Sequence, residues 1–125
     1  MRTYLNLFTY TRESWRAMVQ SPEDRSEAAR KVVEAAGGRL EAFYWMLGEH
    51  DGMVIFSVPD PETAAAVSAA IAASGRVSRM QTTQLLSSEK ARRSLEKAKV
   101  VQSAYEPPGG PMDWRVDYDE GVGVA

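Results

Sequence analysis

His50 is the only histidine of the chain, and it is the side chain whose unperturbed pKa lies near neutrality. It could act as a general base or as a single ligand to a metal or haem. Glu49 and Asp51 do not form a dyad with it, because adjacent residues on an extended chain point in opposite directions. One histidine without cysteine does not supply the three or four ligands that zinc normally needs. We therefore expect a solvated turn histidine, no metal and no cofactor.

The composition is that of an ordinary globular protein. The chain has 125 residues, of which 44% are hydrophobic and 26% charged, and its formal net charge is −2. This length predicts a single core, and the charge balance gives no bias toward nucleic acid or membrane. No signal-peptide pattern or bilayer-spanning apolar segment is present, so we expect a cytoplasmic protein with neither a nucleic-acid nor a membrane partner. The lack of cysteine excludes disulfides and thiolate chemistry.

Any chemistry must be positioned by elements in the predicted order β-α-β-β-α-β. Apolar runs predict four strands, over residues 3–10, 40–47, 53–58 and 77–86. Asp51 and Gly52 separate the second and third runs, and this dipeptide is a strong hairpin signal because both residues tolerate positive φ.

Helix patterns fill the first and third gaps. Thr11 starts a short helical turn, and Ser21 followed by Pro22 predicts the N-cap and first turn of a second helix, which Gly37 and Gly38 end. Asp60 is the expected N-cap of another helix, which runs to about residue 74.

The predicted strands are apolar on both faces. Tyr4 and Phe8 point one way and Leu5 and Leu7 the other, and the second and third strands show the same division. Two crossover helices can cover only one face of a four-stranded sheet, so the other would expose a large apolar patch. A second copy packed sheet to sheet would cover it as a two-fold dimer. The alternative is that the C-terminal segment of the same chain covers this face.

The helix that begins after Asp60 consists mainly of alanine, with Val67 and Ile71 as its larger apolar side chains. Either it lies very close to the sheet, where strand aromatics fill the space, or a cavity remains beneath the helices. Protein interiors rarely leave large voids, which favours close packing. An aromatic-lined cavity would be the place to look for a small ligand.

The order of these features resembles the GYD domain family over residues 1 to about 95. The resemblance lies in the Thr- and Tyr-rich first strand, the Ser-Pro-Glu helix start, the Gly-Gly turn, the strand Glu-Ala-Phe-Tyr-Trp-Met-Leu-Gly, the hairpin through Asp51 and the Val-Pro-Asp exit. In the pattern that names the family a Tyr usually precedes the Asp, whereas His50 stands there in this chain.

The resemblance implies an α+β fold of the ferredoxin-like βαββαβ type, with a four-stranded antiparallel sheet, that forms a dimeric α+β barrel. In this chain the core would span residues 1–86, and the residue pattern after it predicts a C-terminal helix over 87–104 and a Pro/Gly-rich acidic arm over 105–125. We expect this arm to help the dimer or a higher oligomer to form, with Trp114 and Tyr118 as its oligomer contacts.

Three functional hypotheses follow, and none of them identifies a reaction. The first is an oligomeric small-molecule-binding protein that uses a cleft between helices and sheet. The second is a non-catalytic assembly or adaptor module that acts through its sheet face and C-terminal arm. The third, by comparison with barrels of similar fold, is a cofactor-independent oxygenase or isomerase. The candidate cleft residues share aromatic or polar side chains on or near the strands: Tyr4, Asn6, Tyr44, Trp45 and His50.

Overall fold

The computed structural model describes residues 1–110 of the chain. Residues 1–86 form one compact unit, and the described residues from 87 onward belong to a second. Eight elements follow one another in the described part, namely β1 (Arg2–Tyr10), α1 (Arg12–Gln20), α2 (Ser26–Ala35), β2 (Arg39–Trp45), β3 (Gly52–Val58), α3 (Pro61–Ala73), β4 (Val77–Leu85) and α4 (Ser88–Gln102).

The four strands form one sheet in the order β2-β3-β1-β4. Every neighbouring pair is antiparallel, with Leu5 of β1 opposite Ile55 of β3 on one side and Thr83 of β4 on the other. The two inner strands are thus the first and third in the chain, and each is followed by a helical crossover to an outer strand: α1 and α2 connect β1 to β2, and α3 connects β3 to β4. This arrangement confirms the predicted α+β, ferredoxin-like βαββαβ fold.

The helix ends agree with the predicted caps except at the start of α2. The Thr11 side chain accepts the Ser14 N–H at α1, and the Asp60 carboxylate accepts the Thr63 N–H at 2.8 Å at α3. Helix α2, in contrast, begins at Ser26, several residues after the predicted N-cap at Ser21.

The reason for the late start of α2 is a local turn. Asp24 accepts hydrogen bonds from both the backbone N–H and the hydroxyl of Ser26, at 2.9 and 2.6 Å. A side chain of this type competes with helical backbone bonding and holds the chain in a turn. The stretch from Ser21 to Arg25 therefore connects two separate helices instead of opening the second.

The core lies between the sheet and helices α2 and α3. Alternate residues of β1 and β3 face these helices and are buried, and they meet Val33 of α2 with Ala64 and Val67 of α3. Leu5, Leu7, Met53 and Ile55 point to the opposite side, which we call the outer face of the sheet, and they are only partly buried. The predicted division of the strands into two apolar faces is therefore correct.

Gly38 allows the chain that follows α2 to pass close to strand β3. A Cβ atom at this position would lie 2.2 Å from the Ser57 carbonyl oxygen and 2.7 Å from a methyl of Val58. Only glycine permits this approach. Gly37, just before it, closes the helix with φ of +78°.

Helix α4 belongs to the second unit and is described by itself. Its N-terminus is capped by Ser87, whose hydroxyl accepts the Lys90 N–H at 3.1 Å. Its basic residues are partly neutralised within the helix, since Glu89 pairs with Arg92 at 2.7 Å and with Arg93 at 3.4 Å. No helix in the described part of the chain is both long and apolar enough to cross a membrane.

Candidate functional site

A cavity of about 320 Å³ lies between α2, α3 and the helix-facing side of the sheet. Its lining is mainly apolar, and its polar or charged members are Asn6, Tyr10, Arg25, Ser74 and Arg76. The apolar members are Phe8, Ala28, Ala29, Val32, Val33, Phe43, Val54, Phe56, Val67, Ala70, Ile71 and Val77. Of the two arrangements left open by the sequence, the helices thus leave a cavity. The cause is the small side chains at Ala28, Ala29 and Ala70, which leave unfilled the space that larger residues would occupy.

Asn6 places an amide in this mainly apolar space. Its side chain is only 5% exposed, and its Nδ2 donates to the Thr82 hydroxyl at 2.8 Å. Thr82 in turn shares a hydrogen bond of 2.9 Å with Ser68 of α3. This chain fixes the orientation of the Asn6 amide, because Nδ2 is committed to Thr82 and the carbonyl oxygen must point away from it.

Tyr10 and Arg25 form a polar end of the cavity. Burial raises the pKa of the Tyr10 hydroxyl, and the neighbouring Arg25 guanidinium offsets part of that rise. Arg25 also pairs with Glu23, with 2.5 Å between Nη1 and Oε1. A cation and a protonated phenol therefore lie side by side against an apolar surface.

An aromatic cluster continues from this end of the cavity. The Tyr10 ring centroid lies 5.1 Å from Phe8, 5.9 Å from Trp15 and 5.8 Å from Trp45, and the two indoles are 5.5 Å apart. Most of these contacts are edge-on or tilted, the geometry that aromatic pairs prefer. The cluster holds Tyr10 in place and connects β1, β2 and α1.

The hairpin between β2 and β3 is attached to the end of β1 through Asp51. The Asp51 N–H donates to the Phe8 carbonyl at 2.8 Å, and the Asp51 carboxylate accepts the Tyr10 N–H at 2.9 Å. These bonds occur where the register of β1 shifts between Thr9 and Tyr10. Asp51 thus has a structural role that fixes the backbone of a cavity-lining residue.

A protein-family model for the GYD domain matches residues 4–95 of the chain. The chain belongs to the GYD domain family. In this GYD domain, Asp51 is the residue that joins the hairpin to β1. Among the curated proteins, none matches the sequence significantly.

Two solved structures align with this GYD domain. One is 30S ribosomal protein S6 from Thermotoga maritima, with a TM-score of 0.52 and 18% identity over 76% of this chain and 97% of that chain. The other is FFRP-DM1, with a TM-score of 0.44 and 15% identity over 69% of this chain and 100% of that one. At such identities the likeness to S6 concerns the fold alone.

The five residues predicted for the cleft lie in different places. Asn6 lines the cavity, and Tyr4 is buried on the same face, where its ring stacks on Phe56 at 5.8 Å. Trp45 is 48% exposed in the aromatic cluster outside the lining, and Tyr44 is 61% exposed on the outer face. His50 lies in the hairpin near Arg79, and its buried Nδ1 has no hydrogen-bond partner among residues 1–110.

The sequence did not single out most of the lining, although a signal for it was present. Tyr10 follows Asn6 and Phe8 at intervals of two residues along β1, and side chains at this interval point to the same face of a sheet. Arg25, Ala29 and Val32 are spaced by four and three residues, the spacing of one helix face.

The predicted oligomer contacts Trp114 and Tyr118 lie outside the described residues. Within the described residues, no three histidine or acidic side chains are grouped as metal ligands.

Proposed function

We propose that this GYD domain protein binds a small, mostly apolar molecule in the cavity between α2, α3 and the sheet. The observation that supports this proposal is the cavity itself, whose volume of about 320 Å³ lies at the lower end of the range for small-molecule sites. An apolar lining with a few oriented polar groups is typical of such sites. Here Asn6, Tyr10 and Arg25 are those groups.

The energetics of the interior favour an occupant. Apolar side chains that line the cavity lack, on that side, the close-packed partners of a protein core. A ligand with a hydrocarbon body would restore those contacts against Phe8, Phe43 and Val54. It would also remove its own apolar surface from water, which contributes roughly 25 cal/mol for each Å².

A cavity-filling substitution tests the proposal. Ala29 lines the cavity, so Ala29→Leu should place its side chain in the ligand's volume and abolish binding. Ala35→Leu is the matched control, because Ala35 is an exposed residue of the same helix outside the lining. Saturation-transfer NMR with a panel of small aromatic and aliphatic acids, amides and alcohols provides the readout.

We expect members of the panel to bind the wild type and Ala35→Leu and to fail with Ala29→Leu. The Ala29→Leu variant should unfold at a urea concentration no lower than that of the control, which shows that it is folded. Absence of binding across the panel, or equal binding to both variants, would overturn the proposal.

We further propose that the protein is a homodimer whose subunits meet through the outer faces of their sheets. Leu5, Leu7, Met53 and Ile55 lie together on that face and are only partly buried within the chain. Soluble monomers rarely leave contiguous apolar patches of this kind exposed. A second copy covers the patch with the same residues, because a two-fold interface is formed by one surface meeting itself.

A further inference from the structure

The charged residues of the cavity lining are of one sign. Arg25 and Arg76 both line it, and no aspartate or glutamate does so among the described residues. The chain as a whole has a net charge of −2, so this positive lining is not a reflection of its general composition. A cavity with cations and an apolar surface is complementary to an anion that has a hydrocarbon body.

Both arginines now pair with acids on the surface, outside the lining. The Arg25 side chain is 36% exposed, and that of its partner Glu23 is 58% exposed. Arg76 lies 3.3 Å from Glu13, and these two side chains are 60% and 80% exposed. Exposed ion pairs of this type contribute little free energy, because water screens both charges. Arg25 is the more enclosed cation and the better candidate to bind a ligand.

The Tyr10 hydroxyl lies next to Arg25 and is a hydrogen-bond donor at neutral pH. Burial raises its pKa above the ordinary value of 10.0, which keeps the phenol protonated. A guanidinium and a phenol together offer several N–H and O–H groups to one carboxylate. Charge-assisted hydrogen bonds of this kind are stronger than neutral ones.

We propose that the ligand is an apolar carboxylic acid whose carboxylate is bound by Arg25 and the Tyr10 hydroxyl, with its hydrocarbon body between Ala29, Val33 and Phe43. This inference rests on the proposed function of the same cavity and adds the chemical class of the ligand. Glu23 then competes with the ligand for Arg25. In the structure, the Glu23 carboxylate is paired with the Arg25 guanidinium.

Competition by Glu23 gives two substitutions with opposite effects. Arg25→Gln removes the cation. The affinity of this variant for a carboxylic acid should therefore fall to its affinity for the corresponding uncharged amide. Glu23→Gln removes the competitor and should increase the affinity for the acid, because Arg25 no longer has to leave a carboxylate. Arg30→Gln is the matched control, since Arg30 lies in the adjoining helix α2, outside the lining.

The probes are cinnamate and its uncharged amide, cinnamamide, which differ in the group that would meet Arg25. Isothermal titration calorimetry of the wild type should show cinnamate binding roughly tenfold more tightly, the factor expected for one charge-assisted contact. The affinity for cinnamamide should remain the same in all variants. Urea unfolding of each variant confirms that it is folded.

The outcomes separate the two proposals. Equal affinities of the wild type for cinnamate and cinnamamide would overturn the acid assignment and leave the cavity as a ligand site. Binding of neither probe would overturn the acid assignment, while the wider panel with Ala29→Leu decides the proposed function separately. A weaker affinity for cinnamate in Glu23→Gln would contradict the competition and with it the role of Arg25.

Discussion

Asp51 shows how a single residue of the hairpin controls the cavity lining. Its carboxylate accepts the backbone N–H of Tyr10, and its own N–H donates to Phe8, so both cavity-lining neighbours on β1 depend on it. The sequence predicted the hairpin at this Asp, because Asp-Gly is a turn signal. It did not predict the bond to Tyr10, because that bond joins residues 41 positions apart.

Replacement of Asp51 by Ala should therefore destabilise the protein. The Tyr10 N–H would lose a charged acceptor, which is expected to cost about 1.5–3 kcal/mol of the free energy of unfolding. Asp51→Asn keeps a side-chain oxygen at the same distance and should lose less. Urea denaturation measures both values, and equal losses in the two variants would contradict the role of this hydrogen bond.

Tyr10 should make stability depend on alkaline pH. Because its pKa in the folded state is raised above the ordinary 10.0, its contribution is complete below pH 10.0 and is lost as the pH rises through the folded-state pKa. The Tyr10→Phe variant lacks this ionisation and should show a smaller decrease. Urea midpoints on either side of pH 10.0 provide the comparison, and parallel decreases in the two proteins would contradict it.

At the scale of the elements, sequence periodicity predicted the strands well and the helices less well. Alternation along β1 and β3 assigned each side chain to its face, because successive side chains of a strand always point to opposite faces of the sheet. The predicted start of α2 was wrong. Ser21 and Pro22 are residue types typical of a helix start, but the hydrogen bond from the Ser26 N–H to Asp24 holds this stretch in a turn, and the helix begins at Ser26. The cavity was not decided by the sequence, because the helix–sheet distance depends on packing of the whole chain.

Gly52 is the element-scale position with the clearest consequence. It faces Phe8 across the β1–β3 pair, and a Cβ atom there would lie 2.3 Å from the Phe8 ring. Gly52→Ala should force this cavity-lining ring to move and destabilise the protein by about 1–3 kcal/mol, as overpacking does. Gly48→Ala in the same hairpin has open space around its Cβ and is the control. Similar unfolding midpoints for the two variants would show that Phe8 does not constrain this position.

At the scale of the whole molecule, the outer face of the sheet is the surface through which the proposed dimer would form. The sequence predicted two apolar sheet faces, and the structure has α2 and α3 against one of them. The predicted dimer remains a proposal, because a partner's position is not encoded in the periodicity of a single chain. The contribution of Trp114 and Tyr118 remains a prediction as well.

A charge on the outer face should dissociate the proposed dimer. Leu7→Lys places an ammonium group in the middle of the apolar patch, where its desolvation would oppose association. Val19→Lys is the control, because Val19 is 75% exposed on α1. Sedimentation velocity should give a dimer for the wild type and the control and a monomer for Leu7→Lys. A monomeric wild type would remove the proposal.

The central claim is that the space between the helices and the sheet is a ligand site, and methyl NMR tests it most directly. Val33, Val54 and Val67 are buried and line the cavity, whereas Leu5, Leu7 and Ile55 lie on the outer face. Titration with the panel of small aromatic and aliphatic acids, amides and alcohols should shift the methyl signals of the three valines and leave those of the outer face in place. Shifts confined to the outer face, or none at any methyl group, would contradict the account.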